Sequence, residues 1–287
     1  MSTKENQMRR FGLGRSTCGE EVLTEAHFKE YAKAGVEALE ISFPLRLCDG
    51  LNFPEIKRYA DAYGLQLWSY HLPFHGPMDM AAKEAEIRTQ AIAYLMELVG
   101  KASDIGIPLF ILHPSKEPCP EDEIGREEAL KRAMDSLAQM AERAAKYGAT
   151  IAVEDLPRTC LGRNSSEMKQ LLTADDRLRV CFDTNHLLKQ PIKEFIRDVG
   201  QSIVTTHISD YDFVDERHWM PGEGQIDWIE LISELEAAGY CGPLMYEVSS
   251  APSKHIDRRV LTSEDFRVNH DKLIHKLVPE PIGRPLL

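Results

Sequence analysis

No segment of this 287-residue sequence resembles a membrane span or an export signal. No apolar run approaches the ~20 residues that are needed to cross a bilayer. The opening stretch, MSTKENQMRRFGLG, contains basic residues but has neither an apolar core nor a small-residue cleavage site. We therefore expect a cytoplasmic protein without a membrane partner.

Cysteines are few, and they are scattered along the chain. None belongs to a C-x-x-C pair, so the signatures of a disulfide framework and of a thiolate zinc site are both missing. Reduced thiols in a cytosolic protein are the simpler interpretation. The six residues are Cys18, Cys48, Cys119, Cys160, Cys181 and Cys241.

Positive charge is also in short supply. The chain has 34 Lys and Arg against 46 Asp and Glu, which gives a formal net charge of −12. Phosphate binding draws most of its affinity from Lys and Arg, so this balance disfavours a nucleic-acid partner. A local basic groove is still compatible with the composition, and so is a homo-oligomer.

The chain does contain a regular alternation of short apolar runs and longer amphipathic segments. Eight runs predict buried parallel strands at 11–17, 38–43, 65–74, 108–114, 150–157, 179–186, 203–210 and 242–249. Helical patterns lie between them, and those at 20–35, 126–148 and 226–239 end at or on a glycine. The alternation predicts one (β/α)₈ TIM barrel spanning residues 1–287. A doubly wound open sheet is the alternative, although no G-x-G-x-x-G follows the first strand.

Imidazoles and carboxylates gather where six of the predicted strands end. In parallel α/β proteins these ends share one side of the molecule, where active sites form. A buried carboxylate without a partner costs several kcal/mol, so the cluster favours a shared divalent cation. Each residue alone could be a hydrogen-bonded core histidine or a helix cap, but their coincidence favours a metal or polar active site. The residues are His71, His113, Glu154, Asp155, Asp183, His186, His207, Asp210 and Glu247, and the loop after 203–210 adds Glu216, Arg217 and His218.

These motifs resemble the xylose-isomerase-like TIM-barrel superfamily, which contains sugar and sugar-phosphate isomerases and epimerases and the endonuclease IV branch. The most specific matches are VED, CFDTNH, HISD, RHWMPGEGQIDW and YEVS. The epimerase branch implies one divalent metal held by Glu154, Asp183, His207 and Glu247. His186 and Arg217 would then contact substrate, Asp210 would support a ligand or contact substrate, and Arg217 with His218 would close over the substrate. Mn²⁺, Zn²⁺, Mg²⁺ and Co²⁺ all suit such ligands.

The leading functional hypothesis is a metal-dependent isomerase or epimerase acting on a small sugar or sugar phosphate. The metal would polarise the substrate carbonyl and stabilise an enediolate. Glu154 and Glu247 would exchange the roles of base and acid in the proton transfer.

The alternative is a multinuclear zinc phosphoesterase of endonuclease IV type. That branch adds two earlier histidines and a D-x-H pair, matched here by His71, His113 and the pair Glu216 and His218. Glu216 departs from the Asp of that branch, and a longer carboxylate shifts its oxygens away from the expected ligand position. The ED after the fifth strand, in place of EN, is a second departure. One bound metal ion would favour the isomerase, and two or three the hydrolase.

Overall fold

The computed structural model describes residues 11–17 and 22–286. Cys18, the opening stretch up to residue 10 and the first two residues of the predicted helix 20–35 lie outside the described residues. The strands are β1 Leu13–Ser16, β2 Ala38–Ser42, β3 Gln66–His71, β4 Leu109–Leu112, β5 Thr150–Glu154, β6 Arg179–Asp183, β7 Ile203–His207, β8 Leu244–Tyr246, β9 Ile256–Asp257 and β10 Arg284–Pro285. The helices are α1 Glu25–Lys33, α2 Leu45–Cys48, α3 Phe53–Tyr63, α4 Ala85–Ser103, α5 Glu123–Ala145, α6 Ser165–Leu172, α7 Ile192–Val199, α8 Trp228–Ala237 and α9 Ser263–Ile274, with a 3₁₀ turn at Gly200–Ser202.

The first eight strands form one parallel sheet in the order β7-β6-β5-β4-β3-β2-β1-β8. Its two ends meet just beyond β7, where Ile208 and Tyr246 form a parallel bridge. The amide of Ile208 donates to the carbonyl of Met245 at 2.8 Å, and the amide of Glu247 donates to the carbonyl of Ile208 at 3.2 Å. The predicted (β/α)₈ barrel is therefore confirmed, and the open doubly wound sheet is excluded.

Several helices end where a glycine adopts a left-handed backbone conformation. Gly35, Gly148 and Gly239 have φ values of 83°, 68° and 81°, which a side chain would disfavour. The helix starts differ from the predicted ones. Helix α1 begins after the cap residue Thr24, and α5 begins after Asp122, whose carboxylate accepts from the amide of Gly125.

The predicted strands extend too far at their carboxyl ends. All eight barrel strands stop one to three residues before the predicted limits. The chain leaves the ladder there because polar side chains take over the backbone hydrogen bonds. The amide of Asn185, for example, donates to Oδ1 of Asp183 at 2.6 Å. Several of the candidate residues therefore lie in the loops immediately after the strands.

The apolar core has two parts. The larger one lies between the barrel and its helices and includes Phe110 and Leu112 of β4. The smaller one contains the alternate residues Leu109 and Ile111, together with Ala152 and Cys181. Because side chains alternate across a strand, this second cluster faces the inside of the barrel. It forms the apolar floor beneath the carboxyl ends of the strands.

The described cysteines and helices bear on two predictions from composition, namely reduced thiols and the lack of a membrane span. The five described cysteines, Cys48, Cys119, Cys160, Cys181 and Cys241, are free thiols. Among the described helices, none combines the length and the apolar character that crossing a membrane requires.

Candidate functional site

A cavity opens at the carboxyl ends of the barrel strands. Its walls include much of the predicted site: His71, His113, Glu154, His186, Glu216, His218 and Glu247. The side chains that come from different strands converge here because every strand of a closed parallel barrel ends on the same face.

Glu154, Asp183, His207 and Glu247, here called the quartet, meet at one point. Each offers a ligand atom within 4.8 Å of the others. Nδ1 of His207 lies 2.8 Å from Oε1 of Glu154, 2.9 Å from Oε2 of Glu247 and 4.0 Å from Oδ2 of Asp183. That Oδ2 atom is buried and has no hydrogen-bond partner. A divalent cation fits this donor set, since it would satisfy the orphaned oxygen and offset the carboxylate charges.

The protons of His207 support the same interpretation. Nε2 of His207 lies 2.8 Å from Oε1 of the buried Glu40. A neutral imidazole carries a single N–H. If that N–H donates to Glu40, Nδ1 turns a lone pair toward the oxygens of Glu154 and Glu247. Such a grouping of acceptors requires either a cation or an extra proton. Burial opposes protonation, but the surrounding anionic groups outweigh it and raise the pKa of His207 well above its usual value.

Glu154 also faces a second group of imidazoles. Its Oε2 atom lies 3.1 Å from Nε2 of His71 and 2.9 Å from Nε2 of His113. The Nδ1–H of His71 donates to the carbonyl of Leu72 at 3.0 Å. Burial lowers the pKa of His71, but Glu154 outweighs that effect and raises it to about 9, whereas burial dominates for His113 and lowers its pKa. Glu154 therefore connects the quartet to a second group of side chains that could hold a cation.

His186, Glu216 and His218, here called the trio, form a third group. The Nδ1–H of His186 donates to the carbonyl of Asp155 at 2.7 Å, and that of His218 donates to the carbonyl of Glu247 at 3.1 Å. Both rings thus turn Nε2 toward Oε1 of Glu216, at 2.9 Å and 3.8 Å. The extra methylene of Glu216, which the sequence predicts would displace its oxygens, does not prevent the three side chains from meeting.

Comparison with known proteins identifies the family. The family model described as xylose isomerase-like TIM barrel matches residues 28–268. The chain belongs to this family. The resemblance predicted from the strand-end motifs is therefore confirmed.

Individual members are only distantly similar. Uncharacterized protein MJ1311 of Methanocaldococcus jannaschii is 24% identical over 288 residues, covering 94% of this chain and 92% of that protein. D-psicose 3-epimerase of Ruminiclostridium cellulolyticum is 26% identical over 239 residues, covering 78% of each. The solved structure of a D-tagatose 3-epimerase-like protein has a TM-score of 0.76 at 20% identity, covering 93% of this chain and 96% of that one. This structural likeness shows a shared fold.

Arg158 is a residue of this candidate site that the sequence does not single out. It lines the cavity, and its guanidinium contacts Oε2 of Glu216. Its Nη1 also lies 2.8 Å from Oδ1 of Asp215, and its Nε lies 2.9 Å from Oε2 of Glu117. Its backbone φ of 51° is unusual for a residue with a side chain. Nothing in the local sequence reveals these contacts, because their partners lie 41 to 58 residues away.

Glu40 is the second site residue that is missing from the predicted set. It is fully buried in β2, where its carboxylate contacts His207 and Ser69. The sequence did offer a signal, namely a glutamate inside the apolar run ALEISF. A carboxylate buried in such a strand needs a polar partner to offset the free energy of desolvation.

Arg217 and Asp210 are not among the residues that line this cavity. Arg217 lines a different cavity, where its Nε donates to Oδ2 of Asp212 at 2.8 Å. Its guanidinium carbon lies 6.0 Å from the ring centre of Trp219. The guanidinium thus stabilises its own loop in this structure, and the expected contact between Arg217 and substrate stays a prediction.

Asp210 also stabilises that loop. Its oxygens accept hydrogen bonds from the amides of Gly222 and Ile226 and from the indole of Trp228, at 2.8, 3.2 and 2.8 Å. Gly224 packs so closely that a Cβ there would overlap Oδ1 of Asp210. Both oxygens thus accept hydrogen bonds from the loop, and the expectation that Asp210 supports a ligand or contacts substrate stays a prediction.

Proposed function

We propose that the protein is a divalent-metal-dependent epimerase or isomerase of a small sugar or sugar phosphate. The quartet of Glu154, Asp183, His207 and Glu247 would hold the metal, with Mn²⁺, Zn²⁺, Mg²⁺ and Co²⁺ all compatible with the ligands. The observation that carries this proposal is the pairing of Glu154 and Glu247 around one nitrogen, Nδ1 of His207, at 2.8 and 2.9 Å.

The two glutamates are suited to acid–base work beside a cation. When bound, the metal would polarise the substrate carbonyl and favour ionisation of the neighbouring C–H bond. One glutamate would remove the proton from that carbon, leaving an enediolate, and the other would deliver a proton to the opposite face. Each carboxylate has two oxygens, so one can remain a ligand while the other moves the proton. Exchange with solvent then restores the starting protonation of the pair.

Glu154 has the contacts that this division requires. Its Oε1 belongs to the quartet, and its Oε2 is turned toward His71 and His113. Burial raises the pKa of Glu154, but the nearby imidazoles outweigh burial and keep it well below the usual value. A deprotonated Glu154 is the form that a general base needs.

The comparisons support the same class of reaction. D-psicose 3-epimerase aligns with 78% of this chain, and fructoselysine 3-epimerase of Shigella flexneri aligns with 80% of it at 22% identity. Both names describe a 3-epimerase. A sugar is therefore the proposed small-molecule substrate.

Solvent-deuterium exchange with Glu154→Gln and Glu247→Gln tests the proposal. An amide oxygen can still bind a metal but cannot carry the proton, so each change should reduce turnover by about 10²–10⁴-fold at saturating Mn²⁺. A panel of ketohexoses, ketopentoses and their phosphates would serve as substrates. In deuterated water, only the variant that retains the glutamate on the substrate's proton side should introduce deuterium at the reacting carbon.

The exposed Glu142→Gln variant is the matched control and should behave as the wild type does. Restoration of both site variants by added metal would show that the glutamates act only as ligands. Equal deuterium exchange by both would show that the proton travels by another route.

A multinuclear phosphoesterase is the second candidate function. It is favoured by one observation: the quartet, the trio and the group of His71, His113 and Glu154 could each hold a cation, and each contributes residues to the wall of the same cavity. Against it, the guanidinium of Arg158 already contacts Glu216, and the net charge of −12 offers few phosphate contacts. We expect no efficient incision of abasic duplex DNA at physiological salt. Incision that His113→Ala abolishes, together with two or three tightly bound zinc ions, would favour the phosphoesterase.

A further inference from the structure

We propose that Glu40 is a positioning residue that holds His207 in the ring orientation and tautomer needed to bind the metal of the quartet. The inference rests on the proposed function in one respect only, namely that the quartet is a metal site. It adds a residue from the second strand, on the far side of the barrel, to the residues that determine metal affinity.

The contact between Glu40 and His207 crosses the interior of the barrel. Glu40 lies on β2 and His207 on β7, and these two strands are not neighbours in the sheet. Oε1 of Glu40 is 2.8 Å from Nε2 of His207, and both side chains are completely shielded from solvent. Oε2 of Glu40 accepts from the hydroxyl of Ser69 at 2.6 Å, and Ser69 is the register partner of Glu40 on β3. Both oxygens of Glu40 are thus held in place.

The chemistry of imidazole explains what this arrangement achieves. A neutral histidine has one N–H and one lone pair, and only the nitrogen with the lone pair can bind a metal. A carboxylate beside Nε2 keeps the proton there, so Nδ1 is left free to face Glu154 and Glu247. A hydrogen bond of this kind also makes the ligating nitrogen more basic. Without Glu40, the proton could move to Nδ1 and bond to a carboxylate of the quartet, which would oppose metal binding.

A purely structural role is the competing explanation. A buried, hydrogen-bonded ion pair could be retained for packing alone, and its loss would then lower stability without changing the metal site. The two explanations predict different metal affinities for a variant that lacks Glu40, and only the positioning role requires one particular tautomer of His207. A variant that is folded but binds metal normally would fit only the structural role.

The experiment compares Glu40→Gln with Glu37→Gln, a matched control in which the same change is made to an exposed residue just before β2. Mn²⁺ binding to the purified proteins is measured by calorimetry, with circular dichroism to show that each is folded. We expect the dissociation constant of the Glu40→Gln variant to rise by about 10–100-fold and that of the control to stay unchanged. Equal dissociation constants in the two folded variants would overturn the proposal.

A second measurement avoids dependence on the folding of a variant. Nitrogen-15 NMR of histidine-labelled, Zn²⁺-loaded wild-type protein reports which ring nitrogen of His207 carries the proton. The proposal expects the proton on Nε2 and the metal-shifted signal on Nδ1, and the reverse assignment would overturn it. Neither readout uses a sugar. Failure to find an epimerase substrate would therefore contradict the proposed reaction while leaving the role of Glu40 to be judged on metal binding alone.

Discussion

The quartet, through Glu154 and Glu247, and the trio both line one cavity, but the two groups differ in burial and in the source of positive charge. The side chains of Asp183 and His207 are wholly shielded from solvent, whereas those of Glu216 and His218 are 24% and 30% exposed. Within the described residues, the hydrogen bonds and ion pairs of the quartet's carboxylates are with imidazoles and backbone amides. In the trio, Glu216 additionally contacts the guanidinium of Arg158.

This difference indicates how each group can be neutralised. The quartet depends on protons or a metal ion, because the charged partners that its carboxylates have among the described residues are imidazoles, which are cationic only when protonated. In the trio, the guanidinium of Arg158 offsets the charge on one oxygen of Glu216. Because Glu216 and His218 are partly exposed, water screens the remaining charge. We therefore expect the quartet to be the tight metal site and the trio to bind a divalent ion weakly.

The largest expected effect follows removal of one quartet carboxylate. Asp183→Asn removes a buried charge whose Oδ2 atom has no hydrogen-bond partner. Loss of a residue that only hydrogen-bonds to a metal ligand weakens metal binding by up to ~100-fold. Because Asp183 is itself a proposed ligand, the dissociation constant for Mn²⁺ should rise by more than that. Calorimetric titration measures this change.

Glu216→Gln is the control that could break the comparison. This variant also replaces a carboxylate by an amide, but in the trio. The Mn²⁺ dissociation constant of the tight site should stay close to that of the wild type. If Glu216→Gln weakens tight binding as much as Asp183→Asn does, the quartet and the trio act as one site.

A medium effect is expected from Arg158→Gln, which removes the guanidinium from Glu216. Taking away a nearby positive charge should favour a second divalent ion at the trio, by about tenfold in its dissociation constant after allowance for solvent screening. Arg158→Lys keeps the charge and should resemble the wild type. Metal titration past the first equivalent measures the change. Weaker binding in Arg158→Gln would instead mean that Arg158 orients Glu216 for the ion.

The smallest effect is expected from Arg217→Ala, one residue from His218 in the same loop. Because Arg217 contacts Asp212 and lines another cavity, kcat/KM should change by no more than about twofold, equivalent to ~0.5 kcal/mol. The assay uses the sugar identified by the deuterium experiment, with melting temperature recorded beside it. A loss of kcat/KM above tenfold at an unchanged melting temperature would support the predicted contact between Arg217 and substrate.

The fold was predictable because its information is local and repeated. Near-continuous apolar runs mark strands that are buried on both faces, and helix-ending glycines such as Gly148 and Gly239 punctuate each unit. The strand ends were placed less accurately. Apolar periodicity does not record where side chains such as Asp183 begin to replace ladder hydrogen bonds with contacts to loop amides.

The candidate site was predictable to the extent that its residues lie at strand ends. His71, Glu154 and His207 are the last residues of β3, β5 and β7, so a parallel barrel necessarily brings them to one rim. Glu216 and His218 were found through the motif in the following loop. The sequence could not show that Arg217 contacts Asp212, because a motif position does not specify which way a loop side chain points.

The sequence by itself thus determined the barrel and the set of residues that reach its rim, because both depend on short-range periodicity and on the geometry of parallel strands. Tertiary structure alone decided which groups touch. Glu40 meets His207 from 167 residues away in the sequence, and Arg158 meets Asp215 from 57 residues away. Such contacts depend on closure of the barrel and on the path of its loops. A side chain's partner is set by the position of a distant backbone, which local residue patterns do not encode.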